Sequence, residues 1–327
     1  MLRQLLKTAR KVGSLVGLRP RPFTGIGGGQ KDYVIDWEPT YDCNYRCFYC
    51  FAAGGDIHTR LERERERRPP VERLIEIFAG IPSQWRVHLS GGEPLVYSEI
   101  IPLLIGVLQQ RKVDMLTNLS IRIDELIESV PRSNFIITAT WHPIPAHGDI
   151  EGFISRLQRL LRGGFNVSKR VPYVLHPRQL AQVGEFKERL EEVGFTLAGK
   201  VFRGTWQGRR YPDEHSPEEG RIVDEYLYDP IDRFPRPVAT KGERCLAGCR
   251  TIVVRSDGSI HRCPDDRRVM GDFYAGEFPV YSEAMPCDVG GCHCISSIAR
   301  GFVEGIDPRE FTRSRGVIRR QRAHSSR

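Results

Sequence analysis

The chain has 327 residues, of which 40% are hydrophobic and 28% are charged, and its formal net charge at pH 7 is +8. This balance is that of an ordinary soluble globular protein. No apolar run is long enough to cross a membrane, and cations interrupt the apolar positions near the N-terminus, which excludes a secretory signal. The sequence therefore predicts a cytoplasmic protein with room for one large α/β domain and a smaller module.

The excess of basic residues is concentrated at the two ends of the chain. Residues 1–30 combine a basic, amphipathic helical pattern with a glycine-rich joint, and residues 301–327 form a basic tail. Such termini are more often solvated than bound to a partner. We therefore interpret the basic ends as solvated, with contact to nucleic acid, acidic peptide or anionic lipid as the alternative. For the helical pattern of residues 2–16, a helix docked on its own domain is favoured over a membrane-surface helix.

Between residues 31 and 204, short apolar runs alternate with amphipathic stretches, which predicts βαβ units and a parallel sheet. The strand candidates are 33–37, 85–89, 113–116, 135–140, 170–175 and 196–202. The helix candidates are 71–79, 99–110, 121–130, 150–162 and 178–193. Six strands are too few for an eight-stranded barrel, so a partial, open barrel and a doubly wound sheet both fit. Residues 205–243, rich in proline, glycine and charge, are predicted to be a connector.

Nine cysteines fall into two groups with a long gap between them. The early group is Cys43, Cys47 and Cys50, and the late group is Cys245, Cys249, Cys263, Cys287, Cys292 and Cys294. A secreted disulfide scaffold would be shorter and would have an even number of cysteines. Clustered cysteines in a chain without a secretory signal predict metal or redox chemistry instead.

The early cysteines lie just after the first predicted strand, where residues 38–50 read EPTYDCNYRCFYC. Thiolates at C-x3-C-x2-C spacing on one loop can bind three irons of a [4Fe–4S] cube. The fourth iron then lacks a protein ligand, and an open position on a metal centre can take a substrate or cofactor. For the triplet alone, a structural zinc site is the alternative.

This triplet, with Tyr49 before its last cysteine, resembles the signature of the radical S-adenosylmethionine (SAM) superfamily. Residues 90–94, which read SGGEP after the second strand, resemble the motif that contacts the amino group of SAM in that family. A polar pair ending the third strand matches positions that members place near SAM. The resemblance implies that SAM is bound by Tyr49, Gly91, Gly92, Glu93, Pro94, Thr117 and Asn118. The carboxylate of Glu93 would make a charge-assisted hydrogen bond to the SAM ammonium group.

The resemblance implies an oxidoreductase-like enzyme. Cys43, Cys47 and Cys50 would hold a catalytic [4Fe–4S] cluster that cleaves SAM reductively to methionine and a 5′-deoxyadenosyl radical, and this radical would abstract hydrogen from a substrate. It also implies an electron donor such as flavodoxin or ferredoxin. Oxidation or modification of a small molecule is the preferred reaction, because the short segment before the first strand leaves little room for a leader-binding domain. A peptide- or protein-modifying maturase is the first alternative. A metal-stabilised nucleic-acid-binding protein without catalysis is the alternative from another class.

The late cysteines lie in a module predicted over residues 244–300. Its segments 251–254 and 260–262 form a predicted hairpin flanked by cysteines, and the pattern resembles the auxiliary iron–sulfur modules called twitch and SPASM. Six late cysteines cannot supply two clusters with four cysteines each, so the prediction is one auxiliary [4Fe–4S] cluster, with structural zinc as the alternative. Cys245 and Cys263 are the preferred ligands with members of the final group, and Cys249, Cys287 and His293 stay open.

The fold that the resemblance implies is α/β: a partial (β/α)6 TIM-like barrel followed by a small C-terminal cysteine-rich β-hairpin module. Three histidines at or near the ends of predicted strands, His88, His142 and His176, are candidates for proton transfer at the barrel mouth. Their alternative is the hydrogen-bonded core histidine. Lys200 and Arg203 are candidates for holding a substrate carboxylate or phosphate, with a surface position as the alternative.

Overall fold

The computed structural model describes residues 33–50, 67–144, 149–228, 238–292, 298 and 300–306. The predicted N-terminal segment, most of the basic C-terminal tail, and His293 and Cys294 lie outside the described residues. Within the described ranges, no helix combines the length and the apolar character that crossing a membrane would require.

The core of the protein is a parallel sheet whose strands follow one another in chain order. These strands are β1 (Tyr33–Trp37), β2 (Trp85–Leu89), β3 (Val113–Thr117), β4 (Phe135–Ala139) and the short β5 (Asn166–Val167). Next to β4, β6 (Arg170–Leu175) and β7 (Thr196–Val201) form a second parallel pair. All six predicted strands are present. A doubly wound sheet reverses its strand order at a switch point, whereas this order runs in one direction, as it does in barrel-type folds.

Helices follow the strands as the alternating pattern predicted. They are α1 (Val71–Gly80), α2 (Ile100–Leu108), α3 (Ile123–Ser129), α4 (Ile150–Arg162) and α5 (Val183–Glu192), the last preceded by a 3₁₀ turn at Pro177–Gln182. Strand residues alternate in burial, so that Val87 and Leu89 of β2 join the apolar core while Arg86 and His88 lie on the opposite face. This period of two results from the pleat of the strands. The opposite face carries the polar side chains Asp36 and Asp114 of the neighbouring strands.

The predicted late hairpin is present, but it belongs to the main sheet. Its strands are β11 (Thr251–Val254) and β12 (Ser259–His261), and β11 pairs in parallel with β1, from Val34 opposite Thr251 to Trp37 opposite Val254. With β13 (Gly271–Asp272), the hairpin extends the sheet to eight strands. All four residues of β11 are buried, which is typical of a strand covered on both faces rather than of a separate small hairpin. The rest of the module contains the two-stranded pair β10 (Arg244–Cys245) and β14 (Met285–Pro286).

The segment predicted to be a connector, residues 205–243, contains regular structure in its described part. A hairpin of β8 (Gly204–Trp206) and β9 (Arg209–Tyr211) turns at Gln207 and Gly208, both with positive φ, and α6 (Pro217–Tyr226) follows. Helix α6 begins with a capping box between Ser216 and Glu219. Proline, glycine and charge mark turns and helix starts as well as linkers, which is why composition alone suggested a connector.

Candidate active site

The early cysteines lie on a segment that we call the cysteine loop, residues 38–50, directly after β1. Cys47 is buried, Cys43 is half-buried and Cys50 is exposed. The loop is ordered by its own backbone, since the N–H of Cys50 donates to the carbonyl of Cys47 at 3.0 Å and the N–H of Tyr45 donates to Sγ of Cys43 at 3.4 Å. A compact loop at the C-terminal end of a parallel strand stands where barrel-type enzymes place their reacting groups.

The electrostatics of the loop indicate that its sulfur atoms are close together. Burial, together with the charges of Cys43 and Cys50, raises the pKa of the Cys47 thiol to about 12. Burial also raises the pKa of Cys43. Three thiolates therefore need a positively charged centre to ionise together. Among the described residues, no three acidic, histidine or cysteine side chains are grouped closely enough to hold one metal ion, and this holds for the late cysteines as well as for the triplet. A cube binds each thiolate at a different iron and so accepts wider spacing; the triplet fits a cube.

The glycine turn after β2 packs against the cysteine loop. The N–H of Gly92 donates to the carbonyl of Thr40 at 2.8 Å, and the N–H of Glu93 donates to the carbonyl of Asp42 at 2.9 Å. A Cβ on Gly92 would collide with the Asp42 carbonyl, and one on Gly91, whose φ is +107°, would lie 2.5 Å from the Thr40 carbonyl. The resemblance to the family implied that Gly91 and Gly92 contact SAM. Their described contacts are with the cysteine loop, which they allow to approach.

Glu93 is enclosed by the ends of two strands, with 1% of its surface exposed. Its Oε1 accepts from the Thr117 hydroxyl at 2.8 Å and from the N–H of Leu95 at 3.1 Å, and its Oε2 accepts from the N–H of Asn118 at 2.7 Å. The predicted residues Glu93, Thr117 and Asn118 are thus brought together. A carboxylate has about four acceptor positions, and these three donors use three of them. Pro94 is buried and opens a 3₁₀ turn, Pro94–Val96.

Asn118 connects this carboxylate to the cysteine loop. Its side-chain amide donates to Oδ1 of Asn44 at 3.0 Å and lies 4.0 Å from Sγ of Cys43. Ser120 completes the connection, donating to Oδ1 of Asn118 at 2.6 Å and accepting from the amide of Asn44 at 2.8 Å. Asn44 and Ser120 were not singled out in the sequence, because neither belongs to a motif; only their positions beside Cys43 and Asn118 hint at this role.

Burial makes Glu93 sensitive to pH, because it raises the pKa of the carboxyl from 4.5 to about 7 although three donors favour the charged form. The folded state binds the proton of the Glu93 carboxyl more tightly than the unfolded state does. The resulting contribution to the free energy of unfolding is fully present below about pH 4.5 and is lost as the pH rises through about 7. From about pH 5 to about pH 8, the wild type should lose about 2 to 3 kcal/mol of unfolding free energy relative to Glu93→Gln. Urea denaturation of both proteins measures this difference, and a difference that does not change with pH would contradict the assignment.

Tyr49 lies in a group of rings beside the cysteine loop. Its hydroxyl is 2.9 Å from Nδ1 of His142, and the two rings stack at 5.9 Å. The ring of His176 lies 5.9 Å from Tyr49 and 4.9 Å from Trp206 of β8. Burial lowers the pKa of both histidines to about 4, with Arg178 contributing at His176, so both are neutral at pH 7. Trp206 was missed in the sequence, because its segment was predicted to be a connector.

His88, the third candidate, lies elsewhere, on the polar face of the sheet. Its Nδ1 contacts Asp114, and its Nε2 is 4.0 Å from Oδ1 of Asp36. Burial alone would lower the pKa of His88, but the two carboxylates outweigh burial and hold it above its ordinary value. Lys200 is the penultimate residue of β7, and Arg203 follows that strand. Both have partners of their own, and their role in holding a substrate anion stays a prediction.

Four late cysteines line one half-open cavity, which we call the cysteine cavity. They are Cys245, Cys263, Cys287 and Cys292. The hydroxyl of Thr240 lies 3.4 Å from Sγ of Cys287, and the N–H of Ala247 donates to Sγ of Cys245 at 3.4 Å. Cys249 is buried but does not line the cavity. Four cysteines around one space match the number of ligands of an iron–sulfur or zinc site whose ligands are all cysteines, although they are not grouped closely enough here to hold a single ion.

Residues 37–179 match the family model described as the Radical SAM superfamily. This domain covers rather less than half of the chain and contains the whole cysteine loop, the glycine turn and Asn118. Two curated relatives match shorter segments. An S-adenosylmethionine-dependent nucleotide dehydratase of Fibrobacter sp. is 29% identical over 92 residues, 27% of this chain and 28% of its own length. A probable GTP 3′,8-cyclase of Thermococcus kodakarensis is 35% identical over 65 residues, 20% of each chain.

Among solved structures, Streptococcus suis SuiB bound to S-adenosylmethionine superposes with a TM-score of 0.52 at 14% identity, covering 84% of this chain and 67% of SuiB. At this identity the likeness concerns the fold. It agrees with the mixed α/β architecture and the parallel sheet described above. The family domain and the enzyme relatives confirm the prediction that this chain is an enzyme.

Proposed function

We propose that the chain is a radical SAM enzyme in which Cys43, Cys47 and Cys50 hold a [4Fe–4S] cluster with one iron open to SAM, at the mouth of a partial (β/α)6 TIM-like barrel. The observation that carries the proposal is the pair of backbone hydrogen bonds from Gly92 and Glu93 to the cysteine loop. They join two motifs that are far apart in sequence into one site. The family domain and the SAM bound to SuiB support the cofactor.

The chain's own residues would prepare this site for its cofactors. When held by Cys43, Cys47 and Cys50, a reduced cluster would supply electrons for reductive cleavage of SAM and so for hydrogen abstraction from a substrate. The carboxylate of Glu93, held by β3, would accept from the SAM ammonium group. The amide of Asn118 beside Cys43 would donate toward the sulfur and so tune the potential of the cluster. The neutral pair of Tyr49 and His142 would help to exclude water.

The substrate class follows from less direct support. Both curated relatives are named for nucleotide chemistry, which favours oxidation or modification of a small molecule over the maturation of a peptide. A one-electron donor of the flavodoxin or ferredoxin type would reduce the cluster. The hypothesis of a nucleic-acid-binding protein without catalysis does not explain why Glu93 is buried and linked to the cysteine loop.

Anaerobic reconstitution with iron and sulfide tests the proposal. The reduced protein is expected to convert SAM to methionine and 5′-deoxyadenosine, both measured by chromatography. A protein with a full complement of iron and sulfide that produces neither compound would refute radical SAM activity. Incubating the active enzyme with nucleotide pools or with peptide extracts, and following uptake of substrate hydrogen into 5′-deoxyadenosine, then separates the two substrate classes.

We infer that the cysteine cavity holds one auxiliary [4Fe–4S] cluster, in a twitch-like module that shares the main sheet through β11. The support is that four cysteines line one space. A variant with Cys43, Cys47 and Cys50 all changed to Ala should therefore retain about four irons and four sulfides per chain. Adding Cys287→Ala should remove them, whereas adding Cys249→Ala should not. One zinc and no sulfide in the triple variant would contradict the cluster and indicate a structural zinc site.

A further inference from the structure

A buried arginine lies beside the cysteine cavity. Arg262 directly follows β12, lines the cavity and is 3% exposed. Its guanidinium donates to four backbone carbonyls. They belong to Cys245 at 3.3 Å, Ala247 at 3.2 Å, Met285 at 3.1 Å and Pro286 at 2.8 Å.

These carbonyls belong to the segments that carry the cavity cysteines. One is the carbonyl of Cys245 itself, and another belongs to Pro286, the residue before Cys287. Arg262 is itself the residue before Cys263. A single side chain therefore ties together the backbone around three of the four cavity cysteines, which come from distant parts of the sequence.

No carboxylate within the described ranges is hydrogen-bonded to Arg262, but its charge adds to the hydrogen bond from Arg268 in lowering the pKa of Asp266, and Asp265 also lines the cavity. A buried cation surrounded by neutral carbonyls is costly unless an anion compensates it. The nearby Arg268 is different, because it is exposed and its guanidinium binds the carboxylates of Asp266 and Asp288. Four thiolates outweigh the positive charge of a cubane core or of a zinc ion, so a loaded cysteine cavity would place a further anion beside Arg262.

We propose that Arg262 is the built-in counter-cation and positioning residue of an anionic, four-thiolate metal complex in the cysteine cavity. This inference rests on the proposed metal site. The N–H groups of the guanidinium hold the three backbone segments that carry cavity cysteines in place, and its positive charge stabilises the anionic complex. For an iron–sulfur cluster, a buried cation favours the reduced form, because reduction adds negative charge, and therefore raises the reduction potential.

The test uses the full chain with Cys43, Cys47 and Cys50 changed to Ala, so that any remaining metal belongs to the late cysteines. Into this parent we introduce Arg262→Lys, which keeps the charge, and Arg262→Gln, which keeps an amide donor without the charge. The Lys variant should have a potential close to that of the parent. The Gln variant should be at least tenfold harder to reduce, a shift of about 59 mV to lower potential for one electron. Arg268→Gln, the matched control, should leave the potential unchanged.

Redox titrations followed by electron paramagnetic resonance give the potentials. Equal potentials in the parent and the Gln variant would overturn the inference and leave the metal site standing. If the Gln variant loses its iron, zinc titration of the iron-free proteins replaces the potential. The Arg262→Gln variant is then expected to bind zinc at least tenfold more weakly than the Arg262→Lys variant, and equal affinities would overturn the inference. A parent that binds neither iron nor zinc would refute the proposed site itself, and the inference with it.

Discussion

Cys47→Ala should abolish the formation of 5′-deoxyadenosine from SAM. Cys47 is the most buried cysteine of the triplet, and its removal leaves two thiolates for a cube that needs three protein ligands in this site. The iron content should fall by about four per chain, and the measurements are iron analysis and chromatography of the anaerobic reaction. The auxiliary iron should stay, since the cysteine cavity is lined by other thiols.

The matched control is Cys249→Ala. Cys47 and Cys249 are both 9% exposed, so the two substitutions remove the same sulfur atom from equally buried places. Cys249 belongs neither to the cysteine loop nor to the lining of the cysteine cavity. The control should therefore keep both iron sites and its SAM cleavage. Undiminished 5′-deoxyadenosine production by Cys47→Ala would remove the cysteine loop from the catalytic site.

Gly92→Ala is expected to destabilise the protein by about 3 kcal/mol and to impair loading of the cysteine loop with iron. The new methyl group would meet the backbone carbonyl of Asp42, which cannot swing aside as a flexible side chain can. The loop would have to retreat, and this would weaken the hydrogen bonds from Gly92 to Thr40 and from Glu93 to Asp42. Denaturant unfolding of the iron-free protein measures the first effect, and iron analysis after reconstitution measures the second.

Gly80→Ala is the control for this substitution. Gly80 ends α1, and a Cβ there would have no neighbour within 4 Å. Its unfolding free energy should change by less than about 1 kcal/mol, because only helix propensity is altered. If Gly92→Ala were as stable as Gly80→Ala and took up iron normally, the close packing of the glycine turn on the cysteine loop would have no energetic importance.

The sequence predicted the parallel strands well because their signal is local. Each strand is a short apolar run separated from the next by an amphipathic helix, and this pattern lies within a few dozen residues. The hairpin of β11 and β12 was predicted for the same reason. Its pairing with β1 was not, since nothing in either strand specifies a parallel partner at the other end of the chain. The complete burial of β11, which indicates a strand inside a larger sheet, is visible only in the folded structure.

The candidate site likewise contains features that sequence motifs predicted and contacts that they did not. Motif spacing predicted the triplet of Cys43, Cys47 and Cys50, and the structure brings Glu93 to Asn118 as expected. The contact of Gly92 with the cysteine loop depends on how two strand ends meet, which no motif encodes. The choice among the late cysteines depends likewise on which side chains face one cavity. Cys249 lies two residues before β11, yet it does not line that cavity.

The pairing of β1 with β11 also constrains the order in which the chain can fold. During synthesis, β1 has β2 beside it early, but its other edge stays uncovered until residues 251–254 have left the ribosome. An uncovered strand edge is a template for pairing with other chains, and contacts between distant residues form slowly. The carbonyl of Val254 also accepts from the N–H of Glu38 at the start of the cysteine loop. A nascent chain that ends before β11 would thus lack both the partner that covers this edge of β1 and a support of the cysteine loop.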